Sequence, residues 1–165
     1  MNLYVRLFII LFMCKWRKPL KALGTSTVIL HVLPNDLDLN WHMNNGRFLT
    51  IMDLGRMDLL QRSGILKMAV KNKWMPIVGN AEIEFQRPLK LWQKYELHSR
   101  VSGWDEKWIY LEQTFYSKEK VIAIGKIKGL LRGKDGNIEP QKYMDLIQPG
   151  VINPEIKTIS GQIKK

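Results

Sequence analysis

The segment NNGRFLTIMDLGRMDLLQRSG, residues 44–64, constrains the fold more than any other stretch of the chain. Apolar side chains recur at Phe48, Ile51, Met52, Met57, Leu59 and Leu60, which is helical spacing over an unusually wide arc. A helix with that much apolar circumference has to be enclosed, and Gly55 offers a place where a neighbour can approach closely. Asn44 or Asn45 can cap its start by accepting a bond from a first-turn amide, and Gly64 is a suitable terminator. Asp53 with Arg56 and Asp58 with Arg62 stand three and four residues apart. Such pairs contribute about 0.2–0.5 kcal/mol each and are read as structural.

What encloses the helix has a period of two. A short β run, Thr25 to Val32, precedes it and is ended by Pro34, which cannot donate to a ladder. After Pro76, Ile77, Gly79, Ala81, Ile83 and Phe85 share one face while Asn80, Glu82 and Glu84 share the other, until Arg87-Pro88 breaks the pattern. Further runs follow at Tyr95–Trp104, Trp108–Ser117 and Val121–Arg132, with turns near Asp105-Glu106, at Lys118-Glu119 and at GKDG, 133–136. The order is strand, long helix, then four strands in hairpin connection. That predicts an α+β domain in which one antiparallel sheet wraps a central helix. The sheet's edge strands need covering, so edge-to-edge pairing into a homodimer or higher even oligomer is expected.

The domain is placed at 25–140, between an apolar and basic segment at 1–24 and a tail at 141–165. Its size suits one packed core, since 165 residues with 45% hydrophobic content can bury a sizeable interior. The single cysteine, Cys14, excludes an intrachain disulfide and favours a reducing, cytoplasmic compartment. A net charge of +11 predicts attraction to anions. Nucleic acid explains only that charge, and the tryptophans fall at strand spacing more typical of a core than of base stacking, so no nucleic-acid partner is expected.

The opening stretch, MNLYVRLFIILFMCKWRKPLK, has an apolar run from Leu7 to Cys14, eight residues against the roughly 20 that a membrane span requires. Lys15, Arg17, Lys18 and Lys21 follow it and would stay on the cytoplasmic side. Three readings remain: a helix packed on the domain or its partner, a peripheral anchor through residues 1–21 at the inner face of a membrane with Trp16 at headgroup depth, or a cleaved signal.

Between the first strand and the helix lies DLDLNWHMNNGRF, residues 36–48. With the element order, this run resembles the hot-dog-fold acyl-CoA thioesterases of the 4-hydroxybenzoyl-CoA thioesterase type, in which an Asp-x-x-Gly-His-x-Asn-Asn-x-x-Tyr pattern leads into the central helix. It is closer still to a membrane-associated branch of thioesterase-like proteins. The likeness covers roughly residues 25–132. Trp41 replaces the glycine and Phe48 the tyrosine of that pattern.

The resemblance implies hydrolysis of an acyl-CoA or acyl-carrier thioester, and makes Asp38 the carboxylate that attacks the carbonyl or activates water. A helix N-terminus suits the oxyanion, so the amides of Asn45 and Gly46 are candidates to stabilise it. His42 is a candidate to orient substrate, water or loop, and Asn44 to hold the turn against the substrate. Asp38 has the rival role of an Asx turn, and Asp36 is read as a turn residue. Arg47 and, at even spacing on the last long strand, Lys126, Lys128 and Arg132 are candidate contacts for phosphates of coenzyme A. The histidines His31, His42 and His98 lack a ligand spacing, so neither metal nor cofactor is expected. A weakly catalytic acyl-thioester or lipid-binding module at a membrane surface is the alternative reading.

Overall fold

The computed structural model describes residues 3–14 and 16–154, so positions 1–2, 15 and 155–165 lie outside the described residues. Along the chain come α1 (Leu3–Met13), β1 (Ser26–His31), a 3-10 turn (Pro34–Asp36), α2 (Asn45–Arg62) and α3 (Ile65–Lys71). Next are β2 (Met75–Phe85), β3 (Lys94–Trp104), β4 (Ile109–Ser117), β5 (Lys120–Gly133), β6 (Gly136–Ile138) and α4 (Pro140–Ile147). The sheet is antiparallel, in the order β1-β3-β4-β5-β2, with β6 paired to the end of β5. It curls around α2, as the hot-dog resemblance implies.

Helix α2 buries Phe48, Ile51, Met52, Leu54, Gly55, Asp58 and Leu59. A Cβ on Gly55 would lie 2.5 Å from Leu97 Cδ2 and 2.7 Å from Ser99 Oγ, so the missing side chain is what lets β3 approach the helix. Phe48 meets the rings of Phe85 and Phe115 edge to face at 5.2 and 5.0 Å, closing the core at the start of α2. At the far end Gly64, at φ 83°, turns the chain into α3, a helix that the sequence had not distinguished from its neighbours.

The expectation of four hairpin-connected strands is corrected in one connection. β3, β4 and β5 do form a meander, but β2 pairs with β5 at the opposite side of the sheet from β1. Alternation shows which residues share a face and says nothing about which strand lies alongside. The crossing segment 86–93 is held by backbone bonds from Gln86 and Arg87 to the Ile122 carbonyl and by the buried Leu89. Its path brings the Leu89 carbonyl to the Met43 amide at 2.8 Å, beside the polar loop.

Helix α1 packs on α2, so the first of the three readings of the N-terminal segment describes its inner face. Arg6, Ile10 and Cys14, four residues apart, are buried, while Tyr4, Val5, Phe8, Ile9, Phe12 and Met13 are exposed. The polarity is the reverse of an ordinary surface helix, with the one charge inside and apolar residues outside.

Two buried aspartates fasten this segment. Asp58 receives Arg17 at 2.6 Å, Arg62 at 3.2 Å, the Ser26 hydroxyl and the Cys14 thiol at 3.0 Å, far more than the helical pair expected of it. Burial first, and then the bond to Asp58, push the Cys14 thiol up to about 12, which keeps it protonated and inert at neutral pH. Arg17 also donates to the Thr27 carbonyl at 2.5 Å, occupying an acceptor on β1. The other edge strand, β2, is exposed along almost its whole length.

Candidate active site

Residues 36–44 form a closed loop. The Asn44 amide donates to the Asp36 carbonyl at 2.8 Å, Leu37 and Met43 make an antiparallel bridge, and the Asp38 amide donates to the His42 carbonyl at 2.8 Å. The tip is turned by Trp41, whose amide bonds to the Asp38 carbonyl and whose φ is 59°. This left-handed conformation is what the glycine of the family pattern would adopt at no steric cost. Trp41 adopts it with its ring pointing outward, 71% exposed, so the departure from the pattern strains the backbone at the tip.

Asp38 is half-buried and its Oδ1 accepts from the amides of Asn40 at 2.8 Å and His42 at 3.2 Å. The Asx-turn role is therefore present, and it uses one oxygen; Oδ2 lies outside both bonds. A carboxylate oriented through one oxygen has the other to offer to chemistry.

At the start of α2 the cap is Asn44, whose Oδ1 accepts the Gly46 amide at 2.8 Å, while Asn45 occupies the first helical position. The Arg47 amide bonds to the Asn44 carbonyl at 2.8 Å. Of the two amides singled out for an oxyanion, that of Gly46 is thus committed to the cap, and the Asn45 amide lies outside these bonds. Asp38, His42, Asn45 and Phe48 share one open depression of 310 Å³ with Met43, Phe85 and Arg87.

Asp36 closes the 3-10 turn, its amide donating to the Leu33 carbonyl at 2.8 Å, as its reading as a turn residue expects, and it is also a buried charge centre. Its carboxylate takes both terminal nitrogens of Arg6, at 3.1 and 2.5 Å, the Leu33 amide at 2.9 Å and Arg47 Nε at 3.1 Å. Arg47 also donates to the Asn35 carbonyl, so its guanidinium faces the loop base, where the sequence had suggested an anion contact.

The candidate contacts on β5 do not join this depression within one chain. Lys126 stands between Glu82 and Glu112 across the sheet, and Lys128 lies 4.7 Å over the Trp108 ring. Arg132 is opposite Met75, ten residues of strand and so about 33 Å from the Phe85 that lines the depression. They do share a face, as the spacing says, but it is the outer one, opposite Gly125, Ile127 and Gly129. Arg87 is a cation that sequence reasoning missed here: it lines the depression, with Nη1 donating to the Val121 carbonyl at 2.6 Å, while Lys90 meets His42 nearby through a backbone bridge. For Arg87 the only sequence signal was the Arg87-Pro88 break in strand pattern.

Comparison with known proteins gives concordant likenesses. Residues 32–142 match the family described as the thioesterase-like superfamily. The protein called THEM6 of Danio rerio is 35% identical over 129 residues, covering 76% of this chain and 64% of its own length. A probable thioesterase of Saccharomyces cerevisiae, YBR096W, is 28% identical over 131 residues, covering 77% of this chain and 56% of its own. The chain thus spans less than two thirds of these relatives. Among solved structures, the YbaW probable thioesterase from Escherichia coli superposes with a TM-score of 0.70 at 20% identity, over 75% of this chain and 96% of that one, a likeness of fold.

The strained turn is open to direct test. Trp41→Gly is expected to be more stable than Trp41→Val by about 1–2 kcal/mol, because a β-branched residue bears the full cost of φ near 59°. Urea unfolding of both variants measures the difference, and coincident midpoints would show that the turn relaxes.

Proposed function

Because the chain belongs to the thioesterase-like superfamily, we propose that it hydrolyses an acyl-CoA or acyl-carrier thioester to a free acid and a thiol. The observation that carries this reading is the meeting of the Asp38 carboxylate and the first turn of α2 in one depression walled by Phe48 and Phe85. A thioester carbonyl seated there would direct its developing negative charge at the Asn45 amide and the positive end of the helix. Asp38 Oδ2 would attack the carbonyl or take a proton from an attacking water, with Oδ1 fixed by Asn40 and His42. His42 holds the loop through its backbone on both sides, to Asp38 and to Lys90. Arg87 and Lys90 are better placed than the β5 cations to meet an anionic carrier at this opening.

The test is thiol release from short, long and aromatic acyl-CoAs. Asp38→Ala should lose at least about 10²-fold in kcat while remaining folded. Parent-like activity in that variant would remove Asp38 from the chemistry; inactivity of the parent on every thioester would favour the weakly catalytic binding module.

The sheet edges support a reading of the oligomer. With a β1 carbonyl already taken by Arg17, β2 is the open edge, and it exposes Met75, Val78 and Phe85. We propose pairing of two copies through β2, for which sedimentation equilibrium should give twice the chain mass; a monomer at micromolar concentration would rule it out.

Peripheral membrane contact, with the domain on the cytoplasmic side, is supported by the outward apolar face of α1 and by Trp16, followed by Lys18 and Lys21. No described helix is long and apolar enough to cross a membrane. Phe8→Glu with Phe12→Glu should abolish flotation with anionic phospholipid vesicles and leave hydrolysis of soluble acyl-CoA intact. Undiminished flotation would place the contact elsewhere.

A further inference from the structure

The Arg6–Asp36 pair has no role in the reaction described above, and its position suggests one. Arg6 is 3% exposed and Asp36 fully buried, 30 residues apart in sequence. Arg6 belongs to α1, outside the family match that begins at residue 32. Its two terminal nitrogens both go to Asp36, and its Nε finds no hydrogen-bond partner among the described residues. A buried ion pair of this kind contributes little net stability over an apolar replacement of the same volume, because the desolvation of both charges offsets their attraction. What it does supply is a fixed geometry, since a planar guanidinium gripping both carboxylate oxygens sets distance and orientation together.

The geometry it fixes is that of the loop. The Asp36 carbonyl accepts the amide of Asn44, the residue that caps α2, so Asp36 and Asn44 are the two feet of the 36–44 loop. Asp38 stands one bridge, Leu37–Met43, above those feet. Resting on the reading of Asp38 as the reacting carboxylate, we propose that Arg6 is a positioning residue of this site. By holding Asp36, it sets the distance between the Asp38 carboxylate and the first turn of α2. Arg47 holds the same carboxylate from the helix side, so the loop base is clamped between α1 and α2.

Arg17 supplies the control. It fastens the same N-terminal segment, but to Asp58, thirteen residues along α2 from Asn45 and so about 20 Å from the loop. The full chain is compared with Arg6→Met, Arg6→Lys and Arg17→Gln in steady-state hydrolysis and in hydrogen exchange of the amides of residues 38–44. Arg6→Met is expected to lower kcat by about 10- to 100-fold with KM changed less than about twofold, the cost of a misplaced reacting group. Arg6→Lys, which keeps the charge but loses the fork, should fall between, and exchange at 38–44 should rise in the same order. Arg17→Gln should leave kcat and that exchange near parent values.

Parent-like kcat in Arg6→Met, or an equal loss in Arg17→Gln, overturns the proposal. Should Arg6→Met not fold, Arg6→Lys and its exchange decide by the same criteria. If the parent hydrolyses no thioester, the functional reading fails on its own. Exchange then decides the positioning claim, with faster exchange in Arg6→Met alone supporting it and unchanged exchange overturning it.

Discussion

Two carboxylates with no access to water organise this molecule. A buried ionised carboxylate is costly unless charge and hydrogen bonds replace its lost hydration, and Asp36 and Asp58 meet that demand in the same way. Each takes one arginine from the N-terminal segment and one from α2: Arg6 and Arg47 on Asp36, Arg17 and Arg62 on Asp58. Neither cluster can be satisfied by the sheet and its helix alone. The central helix has a wide apolar face, and within it lies Asp58, which takes Arg62 from its own helix and Arg17 from the N-terminal segment. The N-terminal segment serves both clusters, Arg6 from α1 on Asp36 and Arg17 from the chain that follows it on Asp58.

That arrangement explains which parts of the structure were legible in the sequence. Enclosure of α2 followed from the width of its apolar face, and Gly55 as a point of close approach from the absence of a side chain there; Leu97 and Ser99 lie at that point. Strand faces followed from alternation. Strand neighbours did not, because β2 pairs across the sheet with β5 through a crossing that leaves no periodic trace. The deep role of Asp36 was equally hidden: an aspartate before a turn has the same local signature whether it faces water or an arginine 30 residues away. The loop beside it was singled out as a candidate site through the run of residues 38–48. Arg87 and Lys90 were not, because what brings them to His42 is a tertiary crossing.

The turn at Trp41 shows how much sequence departure a loop can absorb. The closing bonds, Asp38 to His42 and Trp41 to Asp38, are all made by backbone groups, so they demand a left-handed residue at the tip and not a particular side chain. Glycine meets the demand without strain, and tryptophan meets it at a cost that the rest of the loop compensates. The closing bonds hold the Asp38 carboxylate in the loop with tryptophan at the tip, and its aromatic ring stands exposed at the rim.

The inverted polarity of α1 then acquires a physical reason. A helix whose only cation faces inward has nothing polar to present outward, so its outer side, from Tyr4 through Phe12 to Trp16, is apolar by default and is an unfavourable face to leave in water. Under the membrane contact proposed above, a lipid surface would cover that face while Asp36 anchors the inner one, the two separated by a single helix diameter of about 10 Å. On the proposals made above, the element that meets the membrane is also the element that clamps the base of the reacting loop. Asp38 is linked to α1 through one bidentate ion pair, Arg6–Asp36, and one backbone bridge, Leu37–Met43. The sheet packs α2 against β1 and β3, and α1 lies on the outer side of α2, held there by the buried Ile10 and by the Arg6–Asp36 pair.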